Sequence, residues 1–207
     1  MNFNHLYIYR ITHIDNVPHI LQYGITHNNS QNRNSAFTPI GDKSIINKRG
    51  QTMLFNGKML GQYIPFYFGS HSPMLYVIQK GYNGVQMQRS HNIIYLVTSV
   101  QQIIDMQIPF VYSDGHATNS LTSFFNLANI ANIENDLDFG AIKAKHWQNH
   151  PNDLDLKRRK ESEFLIEFDL PFDCIQGILV DGEYAKRQLI NLGVNRNMIH
   201  LKPEYYY

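Results

Sequence analysis

Short runs of apolar and aromatic residues, scattered along the whole chain between segments of other character, constrain the fold more than any other feature. They are Leu6–Thr12, Tyr63–Phe68, Ile93–Val97, Phe110–Tyr112, Ser162–Phe168 and Ile175–Val180, with Ile199–Leu201 as a brief last one. Each has the length and the β-branched or aromatic content of a strand. None approaches the length of a membrane span. Helical signals fall between them. Asn16–Gly24 carries Pro18 in its first turn and Gly24 as its stop, and Ser99 caps Ser99–Asp105. Lys43–Arg49 and Asp181–Gly193 also read as helices. Phe124, Leu127, Ala128 and Ala131 stand at helical spacing, which predicts a largely helical stretch from Ser120 to Trp147. No repeat or linker divides the chain, so the expectation is one α+β domain over residues 1–207.

Composition narrows the function. With 207 residues the chain can bury a substantial core. Its 13 Tyr and 12 Phe suit a sheet core, and some of them suit stacking against flat rings. A net charge of +1 excludes holding a polyanion by bulk charge, so such a site needs local clusters such as Lys48–Arg49 or Lys157–Lys160. The single cysteine, Cys174, excludes an internal disulfide and a multi-cysteine zinc site. None of the 10 histidines pairs with another at metal-ligand spacing on a plausible helix, so no metal is expected. The N-terminus lacks the regions of a signal peptide, which points to the cytoplasm. From Ile25 to about Gly61 the chain is polar and weakly periodic, and a connection this long is expected to be a binding element or disordered.

Ser162–Phe168 alternates strictly, placing Phe164, Ile166 and Phe168 on one face and Glu163, Leu165 and Glu167 on the other. Two readings of Glu163 follow. It can be an edge-strand carboxylate neutralised by Arg158 or Arg159. It can also be an acid at the lip of a cleft, opposing positive charge on a sugar. The strand alone does not choose.

Five pieces in order carry a resemblance: Tyr9–Asn16, Tyr63–Phe68 followed by Ser72–Tyr76, Asp114–His116, Lys160–Leu165 and Tyr205–Tyr207. Together they resemble the DarT family of DNA ADP-ribosyltransferase toxins. The resemblance implies an ADP-ribosyltransferase fold related to poly-ADP-ribose polymerases, with a split central sheet, flanking helices and NAD as substrate. It implies transfer of ADP-ribose to thymidine in single-stranded DNA, and reversal by a macrodomain antitoxin, DarG. It makes Glu163 catalytic and matches its arginine partner to Arg49. Contacts to NAD are implied for Arg10, Ile11, Thr12, His19, His27, Arg49 and Tyr67, with residues 28–61 as the NAD-binding loop. Residues 114–162 become the acceptor-recognition region, in which His116, Trp147, Arg158 and Arg159 are candidate DNA contacts, each with packing or a solvated face as the alternative. His71 is a further DNA candidate. It stands where relatives often carry arginine, which implies a weaker or pH-dependent hold on phosphate.

A guanidinium, with a pKa above about 12, is a poor base, so Arg49 is expected to act by charge stabilisation, the acceptor proton leaving to Glu163 or water. Two other functions remain open: transfer to another base such as guanine or to protein, and a catalytically silent nucleic-acid-binding relative.

Overall fold

The computed structural model describes residues 2–207. Eight strands form one sheet: β1 Tyr7–His13, β2 Ile64–Tyr67, β3 Ile93–Ser99, β4 Phe110–Ser113, β5 Phe124–Asn126, β6 Glu163–Ile166, β7 Gly177–Val180 and β8 Ile199–Leu201. The helices are α1 Val17–Tyr23, α2 Lys43–Gln51, α3 Pro73–Lys80, α4 Val100–Asp105, α5 Ile133–Asp136, α6 Phe139–Lys143, α7 Leu156–Lys160 and α8 Glu183–Asn191. The strand order is β5-β4-β6-β2-β1-β3-β7-β8, antiparallel throughout except for the parallel β7–β8 pair, which α8 connects.

Pairing strength is uneven across this order. β1 pairs with β3 over the full run Tyr7↔Ser99 to His13↔Ile93, whereas β1 and β2 share the single register pair Tyr9↔Tyr67. The sheet is therefore two four-stranded halves joined at one rung. Next to that rung the Arg10 guanidinium crosses the gap and donates to Pro65 O at 2.9 Å.

One face of the sheet carries the main core, which runs unbroken beneath both halves. Ile8, Phe66, Leu96, Tyr112, Phe164 and Ile178 contribute to it, and α1, α4, α5, α6 and α8 cover it. Each such fully buried side chain stabilises the fold by about 1.5–3 kcal/mol. The other face carries two smaller apolar clusters. One, around Ile11, Leu75, Ile78 and Tyr95, lies on the β1–β3 half under α3. The other, around Leu54, Leu60, Val111 and Leu165, lies on the β4–β6 half. Between them the directly opposed residues Tyr9, Tyr67 and Glu163 form a row across three strands.

Three expectations need correction. Residues 120–147 are not largely helical: β5 opens the stretch, a 3-10 turn over Leu127–Asn132 follows, and α5 and α6 are single short turns. Leu127, Ala128 and Ala131 are exposed, so the apolar spacing does not mark one buried face, and Asn126 caps the 3-10 turn by accepting from Ala128 N. β6 is not an edge strand, since β2 and β4 flank it. Phe168 lies past the end of β6 and is 52% exposed. α3 is an element the expectations did not include, although its start signal is local: Ser72 Oγ accepts from Leu75 N at 3.1 Å and Pro73 takes the first position.

Candidate active site

Glu163, the first residue of β6, is fully buried. A lone buried carboxylate is costly unless it is paired and hydrogen-bonded. Arg49 Nη1 donates to its Oε2 at 2.7 Å and the Ala117 amide to its Oε1 at 2.8 Å. The backbone is pinned as well: Glu163 N donates to Ser113 Oγ at 3.2 Å, and that hydroxyl donates to Gly115 O at 2.7 Å. The Ser-Asp-Gly-His turn after β4 thus shapes the loop that delivers Ala117 to the glutamate. Neither Ser113 nor the Ala117 amide could be picked out from the sequence, because their roles depend on β4 lying beside β6.

Arg49 comes from α2, which Asp42 caps by accepting from Ser44 N at 2.8 Å. No residue of α2 is buried. The helix approaches the sheet because two glycines meet: a Cβ on Gly61 would lie 3.1 Å from the Gly50 Cα. The second guanidinium nitrogen of Arg49, Nη2, is buried without a hydrogen-bond partner. Such a donor suits an oxygen of a bound anionic or polyhydroxyl ligand.

Other charged groups gather here. Burial, reinforced by the Arg49 charge, lowers Arg10 to about 10, and it stays protonated at neutral pH. Burial and the carboxylates of Glu163 and Glu161 raise the Tyr67 hydroxyl beyond any physiological titration, so it remains a phenol. Burial lowers His116 from its ordinary value, and the Arg49 charge adds to this against the pull of Glu163. His116 is accordingly neutral at neutral pH, and its Nδ1 accepts from the Thr118 amide at 3.3 Å.

The remaining sequence candidates are dispersed. Ile11 packs in the small cluster under α3, and Thr12 Oγ1 accepts from Asn16 Nδ2 at 3.0 Å. His19 donates to Asn32 O at 2.8 Å, which ties α1 to the polar loop. His27 lines a separate recess with Lys58, Gln62 and Phe168. His71 donates to Glu204 O at 2.7 Å and lines a recess of about 260 Å³ with Tyr9, Phe68, Gly69, Lys160 and Tyr205. Trp147 packs edge-on against Tyr76 with Lys157 over its ring.

Arg158 and Arg159 do not neutralise Glu163. Arg158 bonds Asp114 and Asp155, and Arg159 bonds Asp138 and Asp153. Both hold the acceptor region together, and Arg49 is the glutamate's partner. No helix is long and apolar enough to cross a membrane, and no group of three or more metal-ligating side chains occurs among the described residues.

Comparison with known proteins fits this arrangement. A family model described as "ssDNA thymidine ADP-ribosyltransferase, DarT" matches residues 9–207. The DNA ADP-ribosyl transferase of Escherichia coli O127:H6 is 29% identical over 205 residues, covering 97% of this chain and 93% of that protein. The structure of Thermus sp. 2.9 DarT in complex with ADP-ribosylated ssDNA superposes with TM-score 0.82 at 30% identity, covering 98% of this chain and 96% of that one. The same protein in complex with NAD+ gives 0.78 at 29%, covering 98% of each. A Thermosipho africanus DNA ADP-ribosyl transferase–DNA ADP-ribosyl glycohydrolase fusion protein is 27% identical over 192 residues, covering 92% of this chain and 46% of the fusion. By sequence over nearly its whole length and by the fold that carries Glu163, the chain belongs to the DarT family of DNA ADP-ribosyltransferases.

Proposed function

We propose that this chain transfers ADP-ribose from NAD to thymidine in single-stranded DNA, with Glu163 and Arg49 as its catalytic pair. The observation that carries the assignment of roles is a buried carboxylate–guanidinium pair, open on one Arg49 nitrogen, one strand away from the join of the two halves of the sheet. The residues fit NAD: the unpartnered Nη2 offers a donor for phosphate or ribose oxygen, and Arg10 adds positive charge nearby. NAD supplies an ADP-ribosyl group whose bond to nicotinamide breaks with positive charge developing on the ribose. Glu163 opposes that charge from a dry, preorganised position, where such stabilisation is largest. Arg49 holds the carboxylate oriented through its Nη1 bond, and its free donors hold anionic oxygen. Tyr67, opposite Glu163, forms the floor beside it.

The acceptor region 114–162 positions the DNA, with His116 and Trp147 as its candidate contacts and His71 as a further one outside it. Arg158 and Arg159 support it from within their aspartate pairs. The Thermosipho fusion to a glycohydrolase supports a macrodomain antitoxin of the DarG type as partner. We place the enzyme in the cytoplasm, where NAD and single-stranded DNA meet.

Mass spectrometry of thymidine-containing oligonucleotides incubated with NAD tests the reading. A gain of one ADP-ribose unit is expected, reduced at least about 100-fold in Glu163→Gln. Modification of guanine or of protein instead would overturn the acceptor and leave the fold and the pair standing. Absence of any transfer would favour a silent nucleic-acid-binding relative.

A further inference from the structure

Four lysines near the acceptor region carry charge that the fold itself leaves unused. Lys80, Lys143, Lys145 and Lys157 have no ion-pair partner among the described residues, whereas Arg158 and Arg159 are consumed by aspartates. Lys157 lies over the Trp147 ring at 5.7 Å and Lys80 over the Tyr76 ring at 6.0 Å. Lys143 lines the recess of Tyr9, Phe68 and Tyr205, and the Lys145 charge acts on His71 in the recess wall. In a chain of net charge +1 this is the local cluster that a polyanion requires.

Rings join these cations into a row. Tyr205 in the recess lies 5.8 Å from His71, His71 5.7 Å from Tyr207, Tyr207 5.1 Å from Tyr76, and Tyr76 5.8 Å from Trp147, centroid to centroid. Packing of the core does not call for the outer members. α3 buries Pro73, Leu75, Ile78 and Gln79, so Tyr76 and Lys80, one turn apart, stand outside its buried face. Tyr76, Trp147 and Tyr207 belong to none of the three apolar clusters. Their mutual contacts are edge-on, at 78° and 71°, which covers rims more than faces. The row also begins close to the chemistry, since Tyr9 shares a rung with Tyr67 and Tyr67 with Glu163. Rings interleaved with unpaired cations suit a single strand, whose bases offer flat faces and whose backbone offers negative charge.

We propose that this row is a track for the nucleotides that flank the target, running from the recess beside Tyr9 out to Trp147. The inference rests on the reading under Proposed function. Bases stack on Tyr207, Tyr76 and Trp147 while the phosphates pass along the free lysines. Stacking accepts any base, so the track sets affinity and strand direction rather than sequence. The row leaves the recess in one direction, so nucleotides on only one side of the target reach it.

Kinetics on strands of different length test the track. A short oligonucleotide bearing one thymidine is compared with strands extended by several nucleotides on one side or the other, and with an abasic extension that keeps the phosphates and removes the bases. Extension on the favoured side is expected to lower the wild-type KM for the strand about 10-fold or more, and the abasic extension to lose much of that gain. Tyr76→Leu and Trp147→Leu, which remove a flat ring and keep apolar bulk, should each cut the gain about 5-fold or more, while Tyr76→Phe keeps it. Replacing Lys80 and Lys157 together by alanine should flatten the salt dependence of KM on the extended strand. Each gain is a ratio measured within one enzyme, so a variant of lowered overall activity still reports it. Fluorescence anisotropy with labelled strands that lack thymidine reads the same gain without the reaction. A wild type that gains nothing from extension on either side, or a gain left intact by both leucine variants, would overturn the track and leave the proposed transfer standing. A wild type that prefers the extended strand in anisotropy yet modifies no thymidine would sink the transfer and keep the track.

Discussion

One nitrogen of Arg49 is bonded to Glu163 while the other is buried and bare, so its guanidinium is neutralised and unsaturated at once. Lysine in its place keeps the charge and loses the fork. We expect Arg49→Lys to retain a measurable rate, about 10- to 100-fold below wild type, because the charge is kept and the fork is lost. Transfer to a thymidine oligonucleotide measured from pH 6 to about 9 checks this, and an activity lost at every pH would show that the planar fork itself is required. At this scale the sequence was informative in proportion to local register. Glu163 could be located because Glu-Phe-Leu fixes its place in a motif, while its ion-pair partner could not be derived from the strand. The nearby basic run Lys157–Lys160 pointed to Arg158 or Arg159, but both are consumed by aspartates. Arg49, 114 positions away in sequence, reaches the site only through the packing of α2.

Elements whose residues touch mainly their own neighbours could be read from sequence. Pro18 and Gly24 bracket α1, and Ser99 caps α4, whose Gln102 amide donates to Ser99 Oγ at 3.2 Å. The acceptor region could not be read, because its form is set by contacts across the sheet. β5 exists by pairing with β4, and the loop after β4 is shaped by the close approach of Gly115 to α7. A Cβ on Gly115 would lie 2.5 Å from Arg158 Nη1 and 2.9 Å from Arg158 O. Gly115→Ala is therefore expected to cost about 1–3 kcal/mol of stability. It should also lower transfer about 10-fold or more, since the loop it displaces carries the Ala117 amide that bonds Glu163. Urea unfolding and oligonucleotide assays on the same preparation separate the two effects.

For the molecule as a whole, sheet order was the least accessible property from sequence, since the neighbours β6-β2-β1-β3 come from distant parts of the chain. The α+β class followed from the runs themselves. Two adjacent buried charges leave a mark on global stability. Glu161 rises from 4.5 to about 7, so between those values the folded chain holds a proton that the unfolded chain has lost, and stability falls as pH rises. Lys160 falls from 10.5 to about 8, so between those values the unfolded chain holds the extra proton, and stability recovers as pH rises. Both groups oppose folding most between about 7 and 8. The melting temperature of Glu161→Gln minus that of wild type should therefore grow as pH rises from 4.5 to 7 and level off above it. A difference independent of pH would show that Glu161 titrates normally.

The single rung Tyr9↔Tyr67 has a mechanical meaning. Two plates sharing one pin pass little torque through the pin, so strand hydrogen bonding does little to set the angle between the halves. The spacing between Glu163 on one plate and the Tyr9–Thr12 stretch on the other is set instead by the packed layer beneath, with Ile8, Phe66 and Phe164 as its centre, and by the Arg10 strut to Pro65. The NAD site proposed beside that gap would be held by jaws as stiff as the layer behind them. A methyl group removed from that layer, far from any ligand, is therefore felt as slack in the grip.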